Sequence, residues 1–392
     1  MVPNRSIFRL MAYLFFAYSI MTIVISYMPV YFRYHGMTAK ELGILLAVGP
    51  LASIFAQPFW GYMSDKFKTI KRILLIVVAG TFFATLILFQ MNNLVGYTVM
   101  MFVLFLFLAP VTALGDSLSQ KTALQHKVSF GRIRMWGSLG FATVSLLAGY
   151  YLTLVGIQHI MFPILVMAII TFLFAVFLND VKSTNKPVTI LNAVKLGANP
   201  KLFMFLIIII FISITHRTND TYLGIFITDL GGKESLIGWA WFIGVVSEAI
   251  VFFAAAFWFR KFNPLTFLML SAFLYSIRWF LMGTATLPET LLILQALHGV
   301  TFGVFYIAAF QIVSKLVPEE LQATGHVLFI TTFFGISGIV GAFVGGLVIQ
   351  STGVAQLYSY LGYLSIIGFF GLMIYKFVTE NRLGETVEYS RS

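Results

Sequence analysis

Long apolar runs, each close to the ~20 residues needed to cross the hydrocarbon layer of a bilayer, recur along the whole 392-residue chain. Short polar or proline-bearing breaks separate them, and runs of this length exceed those of ordinary strands. The pattern predicts twelve helices, first at 8–32, 41–63, 73–91, 95–120, 131–155 and 159–178. The second set falls at 202–229, 235–259, 264–285, 289–314, 323–350 and 354–378. Between the sets lies the longest polar interval, Asn179 to Pro200, with Lys182, Lys186, Pro187 and Lys195. The expectation is therefore an all-α membrane protein of 12 transmembrane helices in two six-helix bundles: residues 1–180, a cytoplasmic linker at 181–200, and residues 201–392 ending in a short cytoplasmic tail. A faint internal echo agrees with two related halves: Phe59-Trp60 closes the second helix and Phe257-Trp258 the eighth.

Composition narrows the class. Hydrophobic residues make up 59% of the chain and charged ones 10%, with 42 Phe and a mean hydropathy of +0.94, which excludes an ordinary soluble domain. A net charge of +11 could suit nucleic acid, but its distribution argues otherwise. About twenty of the 25 Lys and Arg fall in alternate loops or tails: Arg5 and Arg9, Lys66 to Arg72, Lys121 to Arg134, Lys182 to Lys201, Arg260 and Lys261, Lys315, and Lys376 onward. The opposing loops hold only Arg33, Lys40 and Lys233. This is the positive-inside bias, and it places both termini in the cytoplasm of a multi-pass plasma-membrane protein. A nucleic-acid partner would want the charge on one soluble face. The absence of Cys removes disulfides and thiol chemistry. The N-terminus leads straight into a span, without a small-residue cleavage site of the signal-peptide kind.

Candidate chemistry lies in the ionisable residues inside the spans. Each such charge costs about 2.5–3.5 kcal/mol even on lenient insertion scales, so these residues are rare, paired and functional by default. Folding Pro110 to Leu154 as a hairpin about His126 carries Asp116 and Arg134 to nearly one depth on adjacent helices. In the seventh helix, Thr215-His216-Arg217-Thr218-Asn219-Asp220 interrupts an apolar run, and Arg217 and Asp220, three apart, share a face. Glu248 lies mid-way along the eighth helix with Trp239 and Trp241 above it, and counting outward from Gly231-Gly232 puts it level with Arg217. The same counting about Leu287-Pro288 puts Arg278 level with His298, one turn from Gln295. A shared polar cavity between the halves is the arrangement that reconciles these groups with the bilayer. Pro29, Pro50, Pro58 and Pro110 are expected to bend or end helices. Gly335, Gly338, Gly341, Gly345 and Gly346 are expected to allow close packing of the eleventh.

Three stretches carry a resemblance. Gly61-Tyr62-Met63-Ser64-Asp65-Lys66, followed by Lys68, Lys71 and Arg72, resembles the Gly-x-x-x-Asp-x-x-x-x-[Arg/Lys] loop between helices two and three of the major facilitator superfamily. The resemblance implies that fold, with Gly61, Asp65, Lys66 and Arg72 as a conformational latch. Gly61 would permit close approach of two helix ends, and Asp65 would cap a neighbouring helix or pair with a base. Phe130-Gly131-Arg132-Ile133-Arg134-Met135, preceded by Asp116 and Lys121, resembles the helix four–five segment of lactose permease-type oligosaccharide:proton symporters. There the matching acid and second arginine contact sugar, which implies substrate binding by Asp116 and Arg134, with Phe141 where that family stacks a tryptophan. Asp220, Arg278 and His298 match charged positions of the same family. Thr301 stands where its proton-carrying glutamate would be, Gln295 where it has a lysine, and Glu248 one turn from its helix-eight acid. Leu297-His298-Gly299-Val300-Thr301-Phe302-Gly303 is similar instead to the phenylpropionate and nucleoside:proton side of that group.

The sequence thus reads as a proton-coupled symporter importing a small polar organic solute such as a sugar, nucleoside or aromatic acid, by alternating access. Expected substrate contacts are Asp116, Arg134, Phe141, His216, Asp220 and Gln295. Expected proton-coupling groups are Glu248 as the titrating acid, with Arg217, Arg278 and His298. No cofactor or metal is expected, the proton gradient supplies the energy, and the chain acts as a monomer in the lipid bilayer. A drug:proton antiporter ranks second, because the helix from Gly137 to Gly149 lacks the Gly-Pro-rich antiporter pattern. A membrane-embedded enzyme ranks lower, since His216, His298 and His326 stand on separate helices without a His-x-x-x-His or paired acidic motif. A channel has no filter-like segment to support it.

Overall fold

A computed structural model describes residues 5–180, 199–258 and 263–389. The linker from 181 to 198 and the basic pair Arg260 and Lys261 lie outside the described residues. Among the described residues, twelve helices are long and apolar enough to span a bilayer. They are α1 (Arg5–Tyr34), α2 (Ala39–Lys66), α3 (Ile70–Leu88), α4 (Leu94–His126), α5 (Phe130–Val155), α6 (Ile157–Val176), α7 (Pro200–Asp229), α8 (Glu234–Ala255), α9 (Pro264–Gly283), α10 (Pro288–Leu316), α11 (Thr324–Thr352) and α12 (Val354–Val378). All twelve expected elements are present, and the fold is the all-α, two-bundle membrane architecture expected.

Local chemistry sets the helix ends. Thr38 and Glu41 form a reciprocal capping box at the start of α2. Asn93 caps α4 through the Gly96 amide at 2.8 Å, and Asn199 and Asn263 cap α7 and α9 just ahead of Pro200 and Pro264. Several expected ends move. Residues 121–126 continue α4 beyond the expected end at 120, because Lys, Ala, Leu and Gln all favour helix; the turn comes at Lys127, in the left-handed region with φ 52°. Pro200 opens α7 rather than closing the linker. The last helix continues beyond the span to Tyr389. Pro29, Pro50, Pro58 and Pro110 end no helix; each lies inside one. With no water to take up freed backbone groups at membrane depth, continuing the helix against protein neighbours is the cheaper solution.

In the first half α1 packs on α4, α5 and α6, and α4 packs on α2 and α3; in the second, α9 packs on α12, and α7 on α11 and α12. Between the halves the main contacts are α2 with α11 and α5 with α8, joined by α1 with α7. Numbering each half from its own first helix makes α2–α11 and α5–α8 exchange places. Two related halves set face to face would produce that pattern.

The end of the molecule that carries the α2–α3 and α4–α5 turns is the basic end. At the opposite, far end the halves touch closely. A Cβ on Gly346 of α11 would come within 2.5 Å of the Ala39 carbonyl oxygen, and one on Gly43 of α2 within 3.1 Å of the Gly346 Cα, so only glycine lets these backbones meet. Ser145 of α5 donates to the Gly238 carbonyl of α8 at 3.2 Å, the Ser235 amide to Thr153 at 2.9 Å, and Trp239 to Tyr150 at 2.9 Å. Arg33 on α1 pairs with Asp229 on α7 at 3.3 Å.

The expected latch is arranged differently from its rationale. A Cβ on Gly61 would meet nothing within 4 Å, so no close approach depends on that glycine here. The α3 N-terminus is capped by Thr69, through the Arg72 amide at 3.2 Å, and by Asp180, which accepts from Thr69 at 2.5 Å and from the Ile70 and Lys71 amides at 3.1 Å. Asp180 follows α6 and caps α3 together with Thr69. It sits where the N-terminal helix dipole favours an anion.

Gly346→Leu is expected to lower the apparent unfolding temperature of the detergent-solubilised protein, by overpacking worth about 1–3 kcal/mol. Gly61→Ala, which adds a methyl into open space, is expected to leave it unchanged or slightly raised. Fluorescence-detected thermal unfolding checks both.

Candidate functional site

The site begins with the hairpin of α4 and α5. Arg134 Nε donates to Asp116 Oδ2 at 3.1 Å and lies 3.0 Å from Oδ1 as an ion pair. Tyr18 of α1 donates to Oδ2 at 2.7 Å, and its ring lies 4.0 Å beneath the Arg134 guanidinium. The ring holds the cation from below while the hydroxyl holds the anion, a combination stronger in an apolar layer than either contact alone. Both charged side chains remain more than a quarter exposed, Arg134 at 28% and Asp116 at 30%.

In the second half, Asp220 accepts from Arg217 at 2.6 Å and lies 3.4 Å from His216 Nε2, so one turn of α7 neutralises itself. His216 is clamped from other elements as well. Its Nδ1 meets the Tyr275 hydroxyl at 3.0 Å, and its ring stacks on Phe302 with centroids 4.4 Å apart and planes 6° from parallel. Glu248 meets His298 Nε2 at 3.7 Å, not the level Arg217. His298 comes from α10 and packs beside Gly244 of α8, where a Cβ would lie 3.5 Å from its ring. Arg278 is fully buried and bonds Thr301 at 3.1 Å and the Gln295 carbonyl; its guanidinium lies 4.8 Å from the Trp279 ring. His298, level with it by count, is not its partner. Gln295 is itself 2% exposed, so its carbonyl serves a buried cation and not the open layer.

Two π-helical turns punctuate this region, Gly299–Gly303 in α10 and Thr331–Ile336 in α11. Such bulges shift the face of a helix and cluster at functional positions. Here they present Thr301 to Arg278, and Phe302 and Phe333 to His216.

The α5–α8 interface orders these parts by depth. The helices run antiparallel, and the contacting pairs step regularly: Gly149 with Glu234, Ser145 with Gly238, then Phe141 with Trp241, whose rings meet edge to face at 5.5 Å. Seven residues further along each helix come Arg134 and Glu248. Arg134 lies within electrostatic range of Glu248, and Tyr306 of α10 within range of Glu248, Arg134 and Asp116 together. Asp116 and Arg134 from one half thus share a charged layer with Glu248, His298 and Tyr306 from the other. The Phe141–Trp241 layer separates it from the far-end contacts.

Counting residues from turns found the level and the pairing of Asp116 and Arg134, and the levels of Glu248, Arg278 and His298 but not their partners. Tyr18, Tyr275 and Tyr306 were missed. Each is one Tyr among 17, without a spacing that marks it.

The chain belongs to the MFS_1 like family, whose profile matches residues 7–360. It is 28% identical over 346 residues to "Uncharacterized transporter YwbF" of Bacillus subtilis (strain 168), covering 86% of this chain and 85% of that one. It is 25% identical over 359 residues to "Probable 3-phenylpropionic acid transporter" of Escherichia coli (strain K12), covering 89% of each. The fold matches the crystal structure of nucleoside transporter NupG with a TM-score of 0.84 at 16% identity, over 95% of this chain and 99% of that one. The protein is accordingly a multi-pass membrane transporter and not an enzyme.

Removing one member of a desolvated ion pair costs about 3–5 kcal/mol when burial is complete, and less where both groups remain partly exposed. Asp116→Asn is expected to lower thermal stability, and Asp116→Asn with Arg134→Gln to recover part of the loss. A double-mutant cycle of unfolding temperatures measures the coupling.

Proposed function

We propose that the protein is a proton-coupled symporter that imports a small polar organic solute by alternating access. The observation that carries this reading is the charged layer shared by the two halves, in which one acid differs from the others. Asp116 and Asp220 are each bound to an arginine at 3.0 Å or less. Glu248 has His298 at 3.7 Å as its charged neighbour in the described salt bridges. It can gain or lose a proton without breaking an arginine pair, so Glu248 is the carrier in this reading and His298 orients or relays. Arg217 and Arg278 act as fixed positive charges on either side.

Asp116 and Arg134 supply acceptor and donor to the solute, with Phe141 as a ring surface and the His216–Asp220 turn as the opposing wall. The solute class is a sugar, a nucleoside or an aromatic acid, and the names of the phenylpropionic acid and nucleoside relatives support a compact ringed solute. The basic end faces the cytoplasm, with both termini there, in the plasma membrane; the glycine-lined contacts at the far end then form the closed outer gate. Residues 1–180 and 201–392 are the rocking units, joined by the linker at 181–200. A single chain contains both halves, so a monomer suffices, and the proton gradient is the energy source without any cofactor.

In proteoliposomes with an alkaline interior, Glu248→Gln is expected to lose uphill uptake at least tenfold while keeping exchange of internal for external solute. Undiminished uphill uptake would refute the assignment. A thermal-shift screen of sugars, nucleosides and aromatic acids identifies the solute, because a ligand that binds only the folded state raises apparent stability.

A further inference from the structure

The Phe141–Trp241 layer contains an anomaly that the transport reading does not use. Trp241 is 9% exposed, and its indole Nε1 is buried without a hydrogen-bond partner among the described residues. A buried tryptophan N–H normally finds an acceptor, because an unsatisfied donor leaves its desolvation cost unrecovered, and at membrane depth no bulk solvent offsets this. Three other tryptophans behave normally: Trp60 donates to the Leu106 carbonyl at 2.9 Å, Trp239 to Tyr150 at 2.9 Å, and Trp279 to Thr215 at 2.9 Å. Trp241 alone of these four faces the layer directly above the charged groups. It stands two turns from Glu248 on one face of α8, roughly 10 Å along the axis at 1.5 Å per residue, and its ring meets Phe141 from the opposite half at 5.5 Å.

We infer that Trp241 is a specificity-determining residue of the transport site: its indole N–H donates to an oxygen acceptor on the solute, and Trp241 with Phe141 forms the surface against which the solute's ring lies. The inference rests on the transport reading and adds the chemistry of the solute. The charged layer offers carboxylate oxygens of Asp116 and Glu248 to hydroxyl donors, and the layer above offers one donor and two ring surfaces. A solute that satisfies both carries hydroxyls at one end and, roughly 10 Å away by the same helix rise, a flat ring with a carbonyl oxygen. Aliphatic solutes and rings without an acceptor leave the N–H unsatisfied, and a site built to hydrogen-bond a group rejects analogues that lack it.

The test uses the full-length purified protein and three probes, uridine, maltose and 3-phenylpropionate, with equilibrium binding measured calorimetrically without a proton gradient. Uridine is expected to bind most tightly, and its analogue lacking the 4-carbonyl oxygen about three- to tenfold more weakly. In Trp241→Phe, which keeps a ring but removes the N–H, uridine binding is expected to weaken by a similar factor, and the two ligands to become equal. The ligand-free unfolding temperature of Trp241→Phe is expected to stay level or rise, because an unsatisfied donor has been removed; a merely structural tryptophan would lose stability and binding together. Uridine binding equally well to wild type and Trp241→Phe would overturn the inference, as would tighter binding of maltose or 3-phenylpropionate, or no binding by any of the three. These measurements involve no gradient, so failure of proton coupling in Glu248→Gln is read separately.

Discussion

Ionised groups in a hydrocarbon layer must meet a partner, and that requirement organises this molecule. Asp116 and Arg134 join α4 to α5, with Tyr18 tying the pair to α1. Arg217 and Asp220 neutralise each other along one turn of α7. Glu248 and His298 connect α8 to α10 more loosely. Arg278 follows another route: a fully buried guanidinium held by an amide, a hydroxyl and the neighbouring indole ring instead of a carboxylate. Neutral dipoles and a ring face stabilise the cation without cancelling its charge, which keeps a permanent positive centre beside the site.

Glycines do the complementary work at the far end. Where charges would be too costly to bury and bulky side chains would hold the halves apart, Gly43 and Gly346 let α2 and α11 meet backbone to backbone. Such contacts are made of van der Waals packing and a few hydrogen bonds, so they can part without stranding an ion. The other described ion pairs lie within one half or the other, and Arg33–Asp229 is the one that crosses between them, at the rim. The division of labour is physical: strong interactions hold each bundle together, and weak, close-packed ones join the bundles.

Between these regions the antiparallel register of α5 and α8 sets a sequence of layers. Small residues come first, then the aromatic pair Phe141 and Trp241, then Arg134 and Glu248. A solute entering from the basic end would meet the charges before the rings, and the rings before the far-end contacts.

Much of this was legible from the residues. Apolar run length determined twelve spans, because the bilayer thickness admits few alternatives, and turn counting placed Asp116 beside Arg134, because a hairpin fixes depth. The three-residue spacing of Arg217 and Asp220 determined their pairing, because it is local to one helix. Only the tertiary structure decided that Glu248 meets His298 instead of Arg217, that Arg278 takes Gln295 and Thr301, and that Asp180 caps α3. Depth along a helix can be counted from a turn, but the direction a side chain faces depends on how helices rotate and lean against one another. The π-turns at Gly299–Gly303 and Thr331–Ile336 alter that rotation without a mark in the hydrophobic pattern.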